Sequence, residues 1–130
     1  MSIYSPELQA LMDQLCSQVE DLQVAVSGGN HSTMVDATAA VAQTASAIDQ
    51  NIKATDIPPE DTAILWHSGV LLDEVSQLQT LLGTTGYDPE AVPPLSDAVY
   101  LTTQNMDFIV DKMAQTQPYA EPPLLPFWPT

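Results

Sequence analysis

Arginine is missing from this chain of 130 residues and lysine occurs twice, at Lys53 and Lys112, against 17 acidic residues, so the formal net charge is −15 at pH 7. Two cations give no footprint for phosphates, and neither direct binding to nucleic acid nor adsorption to an anionic membrane face is expected. Cysteine occurs once, at Cys16, which rules out an intramolecular disulfide and agrees with a reducing compartment. No apolar run approaches the ~18 residues needed to cross a bilayer. The first seven residues carry no basic group and no apolar core of a secretory signal. A cytoplasmic location is the expectation. What the chain does have is 45% hydrophobic residues, too many for a disordered acidic tail.

Breakers divide the chain at Ser27-Gly28-Gly29-Asn30, at Asp56-Ile57-Pro58-Pro59, from Gly83 through Pro94, and from Pro118 onward. Four segments of helical length lie between them. The first opens on Ser5-Pro6-Glu7, a cap candidate followed by a proline whose missing N–H costs nothing there, and Gly28 is its expected stop. The third opens on Pro58-Pro59-Glu60-Asp61 and stops at Gly83.

One spacing, alternately four and three, fits every segment. The seams read Leu8, Met12, Leu15, Val19, Leu22, Val26; Met34, Thr38, Val41, Ala45, Ile48, Ile52; Ile64, Ser68, Leu71, Val75, Leu78, Leu82; and Leu95, Val99, Thr102, Met106, Ile109, Met113. Narrow apolar seams joined by short connections predict an all-α fold, an up-down-up-down antiparallel four-helix bundle over residues 1–117. Residues 118–130 form a Pro-rich tail expected to be non-helical and to dock on the bundle or on a partner.

Antiparallel packing predicts layers, and no layer gathers chemistry. Ser68, Thr102 and Thr38 fall in different layers, where each hydroxyl can bond back to its own helix. Bundle metal sites need inward carboxylates and histidines at Glu-x-x-His spacing, yet no seam position is acidic and the residue three before His67 is Ile64. His31 is placed in the first interhelical loop. Cys16 reads as a small buried hydrophobe, and Met12, Met34, Met106 and Met113 read as core filler. No phosphate loop, dinucleotide fingerprint, nucleophile elbow or zinc-protease motif occurs. The expectation is a non-enzymatic protein with no cofactor, no metal and no catalytic residue.

Apolar side chains left over from the seams carry the functional reading. Trp66 and Val70 on the third segment, Leu101 and Phe108 on the fourth, and Leu124, Leu125, Phe127 and Trp128 in the tail are the candidate partner-binding residues. They point to a chaperone-like or adaptor module for another protein with a basic or apolar surface, and the same surfaces suit a second copy of the chain. The alternative is an inhibitor whose carboxylates, Asp13, Glu20, Asp21, Asp97, Asp107 and Asp111, stand in for phosphates in the basic nucleic-acid groove of a host or defence enzyme, a mimicry met among virus-encoded proteins. The apolar reading is favoured because the acids are spread along the sequence instead of forming long rows. Asp49 with Lys53 is the single opposite-charge pair four residues apart.

Overall fold

The computed structural model describes residues 6–54 and 62–120. Four helices, α1 (Pro6–Gly28), α2 (His31–Lys53), α3 (Thr62–Leu82) and α4 (Val92–Ala120), follow one another, with a single 3₁₀ turn at Pro89–Ala91 before the last. There is no strand among the described residues. The chain is all-α, a four-helix bundle, as its seams predict. No helix among the described residues is long and apolar enough to cross a membrane. The expected cap at Ser5, the opening of α3 at residues 58–61, and Leu124, Leu125, Phe127 and Trp128 lie outside the described residues.

Local chemistry sets the helix ends. Pro6 and Glu7 occupy the first turn of α1, where a missing N–H is harmless and a negative charge meets the positive helix end. The stop belongs to Gly29 and not to Gly28, which is still helical: Gly29 takes φ +71°, and its N–H reaches the carbonyls of Ala25 and Val26 at 3.1 and 3.2 Å. Asn30 then caps α2, its Oδ1 accepting from the Thr33 N–H at 3.0 Å and from Thr33 Oγ1 at 3.1 Å. That cap makes His31 the first residue of α2 instead of a loop residue. At the same end of the molecule Asp88 caps the 3₁₀ turn through the Glu90 N–H at 3.0 Å.

The two ends of α4 depart from expectation. The helix starts at Val92 and carries Pro93 and Pro94 inside its first turn, where no intrahelical donor is required. It also continues through Pro118 to Ala120, past the expected boundary at 117. Lacking an N–H, Pro118 forfeits the hydrogen bond to the Ala114 carbonyl.

Each helix packs against its chain neighbours, and α1 packs against α4 to close the ring. Asp49 near the end of α2 meets Ser68 near the start of α3, and Gln23 near the end of α1 meets Asp97 near the start of α4. All six seam residues of α2 and of α3 are buried, as are the four seam methionines. Burial of a Leu, Ile or Met side chain contributes about 1.5 to 3 kcal/mol, so these columns are the main source of cohesion.

Two seams are shifted from the expected columns. On α1, Ala25 is buried and Val26 only half-buried. On α4, Leu95 and Ile109 are half-buried, whereas Ser96, Thr103 and Val110 are buried at 2%, 0% and 0% exposure. The α4 seam therefore runs Val92, Ser96, Val99, Thr103, Met106, Val110, Met113, with Thr102 buried beside it. The helix is thus rotated so that small hydroxyl residues lie on its inward column and the larger Leu95 and Ile109 lie at the margin.

The seam hydroxyls also behave differently from expectation. Thr38 does bond back to its own helix, donating to the Met34 carbonyl at 2.7 Å. Ser68 and Thr102 instead reach across helices, Ser68 Oγ donating to Asp49 Oδ1 at 3.0 Å and Thr102 Oγ1 to Glu74 Oε1 at 2.6 Å. An acid one position off the seam offers a stronger acceptor than a helix carbonyl already engaged in its own ladder.

Candidate protein-binding face

Residues seven apart on a helix lie within about 20° of one another, so Leu101 and Phe108 form one line on α4. That line is opposite the buried column of Ser96, Thr103 and Val110, and the two side chains are 62% and 61% exposed. Lys112, one turn beyond, holds its Nζ 5.3 Å from the Phe108 ring centroid, a cation–π contact that leaves the ring edge open. On α3 Trp66 is 66% exposed, with its ring edge-on to His67 at 4.9 Å. Val70 is half-buried, so it contributes less of its surface than expected.

Two further exposed apolar residues, Val24 on α1 and Val35 on α2, lie outside the set expected from sequence. Val35 could have been found from its place next to the seam residue Met34. It lines, with His31, Ala39 and Gln79, a cleft of about 360 Å³ between α2 and α3. His31 Nδ1 and Tyr87 OH are hydrogen-bonded at 2.8 Å at that end, which ties the start of α2 to the α3–α4 connection.

The carboxylates are less scattered in space than in sequence. Cys16 on α1 is half-buried, and its thiol is pushed up to about 11, first by burial and then by Asp107, Asp13, Glu20 and Asp111 around it. Asp107 is itself held above the ordinary carboxylate value by burial, then by Asp111 and Asp13. Asp97 joins the same α1–α4 face through Gln23, whose Nε2 donates to Asp97 Oδ1 at 3.4 Å. Five of the six acids named from sequence thus share one face, and Asp21 is not among them. From Asp97 to Asp111 the α4 edge of this face is about 21 Å long at 1.5 Å per residue.

Elsewhere the titratable groups are structural. Burial holds Glu74 above its usual value, opposed by the Thr102 hydrogen bond and reinforced by Asp73. His67 Nδ1–H donates to the Ala63 carbonyl at 2.8 Å. Among the described residues no three His, Cys, Asp or Glu side chains are placed to hold a metal ion. A thiol with so high a pKa stays protonated at neutral pH and is a poor nucleophile.

The exposed line of Leu101 and Phe108 therefore runs along α4 beside the carboxylates of Asp97, Asp107 and Asp111. Such a surface can bury apolar side chains and pair cations at the same time. No protein-family model, curated protein or solved structure matches this chain.

Proposed function

We propose that the protein is a non-enzymatic helical binding module that docks another protein through the outer face of α4. The observation that carries this reading is Leu101 and Phe108, each more than 60% exposed and bordered by carboxylates. Its partner presents an apolar strip edged with lysine or arginine, because that pattern matches both parts of the face. Trp66 on α3 and the apolar tail residues Leu124, Leu125, Phe127 and Trp128 are proposed as further anchors. The lone Cys16 suits a cytoplasmic setting.

Affinity capture from the native host, with the unaltered chain and with Leu101→Ser/Phe108→Ser side by side, tests this. A basic or amphipathic protein retained by the first and lost by the second supports the reading, and equal retention by both contradicts it.

A second reading is favoured by the carboxylate face alone. Asp13, Glu20, Asp97, Asp107 and Asp111 can replace phosphates in the basic groove of a nucleic-acid-binding enzyme. Under it, the captured protein is such an enzyme, nucleic acid competes for it, and the serine variants still bind.

A further inference from the structure

We propose that the ten residues following Ala120 fold back onto an exposed apolar patch shared by α3 and α4, made by Trp66 and Phe108, as a strap that a partner must displace. The register of the two helices brings these rings to one height. Glu74 lies eight residues before the end of α3, and its Oε1 accepts from Thr102 Oγ1, ten residues after the start of α4. Partners so evenly spaced from the α3–α4 connection belong to antiparallel helices. Farther from that connection, Trp66 is eight residues beyond Glu74 and Phe108 six beyond Thr102, about 12 and 9 Å at 1.5 Å per residue. The two side chains, 66% and 61% exposed, therefore stand within one helical turn of the same height on neighbouring helices. Val70 and Ile109, both half-buried, lie on the flanks that α3 and α4 turn toward each other.

Reach and charge select the occupant. Helix α4 ends at Ala120, 12 residues or about 18 Å past Phe108. Phe127 and Trp128 follow Ala120 by seven and eight residues, and at about 3.3 to 3.6 Å per residue both can return to that height and cross the roughly 8 to 10 Å to α3. Leu101, about 28 Å back, is at the limit of that reach. The cleft beside His31 lies at the end where α4 begins, and the 29 residues of α4 measure about 43 Å, more than ten residues can span. Charge excludes a second copy, which would bring its own net −15 to a patch bordered by Asp107 and Asp111. The ten residues after Ala120 bring four large apolar side chains, Leu124, Leu125, Phe127 and Trp128, and a single charge, Glu121. Ordering them offsets most of what their burial gains, so the strap is displaceable and adds little to the stability of the bundle. Its displacement by a partner rests on the docking reading above, and the contact itself does not.

Trp66 and Trp128 are the two tryptophans of the chain, so full-length protein carrying Trp66→Phe keeps an aromatic ring in the patch and leaves Trp128 as the one indole that reports on the strap. In the free chain its emission should be shifted to the blue of a solvated indole and be protected from acrylamide quenching, and neither property should change on dilution. Adding Phe108→Ser should return both toward the solvated values, whereas Phe108→Leu, which keeps apolar surface, should retain most of the protection. Val35→Ser, at the cleft that the strap cannot reach, should have no effect. Because Phe108 is exposed, its replacement leaves the bundle folded, and helical circular dichroism checks this. Solvated emission from Trp128 in the free chain would overturn the proposal. Protection that fades on dilution would overturn it in favour of a second copy, and protection indifferent to Phe108→Ser would place the strap elsewhere. No partner is present in this measurement, so a failed docking reading leaves its result standing, and a solvated Trp128 leaves docking at Leu101 and Phe108 standing.

Discussion

Asp49 divides its carboxylate between two neighbours: Oδ1 accepts from Ser68 Oγ at 3.0 Å across the α2–α3 interface, and Oδ2 pairs with Lys53 Nζ at 2.8 Å within α2. Lys53 is mostly exposed, so its ion pair contributes little, and the buried bond to Ser68 is the stabilising half. Asp49→Ala leaves the Ser68 hydroxyl buried without a partner and should cost about 1 to 3 kcal/mol, whereas Lys53→Ala should cost under about 1 kcal/mol. Denaturant unfolding of both variants, with Ser68→Ala to complete a double-mutant cycle, measures the difference.

The helix periodicity was legible because shallowly crossing helices keep one narrow column inward over their whole length, as the fully buried columns of α2 and α3 show. On α4 two adjacent columns compete, Leu95, Thr102, Ile109 against Ser96, Thr103, Val110. Counting apolarity selects the first, but Ser96, Thr103 and Val110 are the more deeply buried, because burial follows the helix's rotation in the bundle and not side-chain apolarity alone. The exposed Leu101 and Phe108 were legible as residues outside either column. The carboxylate face was not, because α1 and α4 supply it from opposite ends of the sequence and only folding brings Asp13 and Glu20 near Asp107 and Asp111.

The two glycines between α1 and α2 should respond oppositely to alanine. Gly28 is helical with nothing within 4 Å of an added Cβ, so Gly28→Ala should stabilise by about 0.4 to 1 kcal/mol. Gly29 is equally uncrowded but sits at φ +71°, so Gly29→Ala should destabilise by about 1 kcal/mol. Thermal melts of the two variants test the assignment of the stop to Gly29.

Lowering pH from neutrality should stabilise the fold. Asp107 and Glu74 have folded-state values above their ordinary 3.8 and 4.5, so each binds its proton more tightly when folded. Their destabilising contribution is present above the raised values and disappears as pH falls toward the ordinary ones. The melting midpoint at about pH 5 should exceed that at about pH 7.5, and at pH 7 moderate salt should raise it by screening the 17 acids.

Cys16 reports on the carboxylate face. With its thiol pushed up to about 11, alkylation at neutral pH should be much slower than for an ordinary exposed thiol. Asp107→Asn/Asp111→Asn removes two of the surrounding charges and should speed the reaction by lowering that value, most visibly at low salt. An unchanged rate would mean that these acids do not surround the thiol.

If the apolar and acidic parts of α4 act together, the full chain should bind an amphipathic helical peptide of leucine and lysine, and titration with that peptide is the decisive measurement. Leu101 and Phe108 face solvent, so their replacement by serine should change stability by no more than about 0.5 kcal/mol and leave the melting midpoint nearly unchanged. Binding should be saturable, weakened at least about tenfold by Leu101→Ser/Phe108→Ser, as expected when apolar anchors are lost, and weakened together with its salt dependence by Asp107→Asn/Asp111→Asn. Equal binding by a leucine and glutamate peptide, or binding to the lysine peptide unaffected by the serine substitutions, would contradict that joint action.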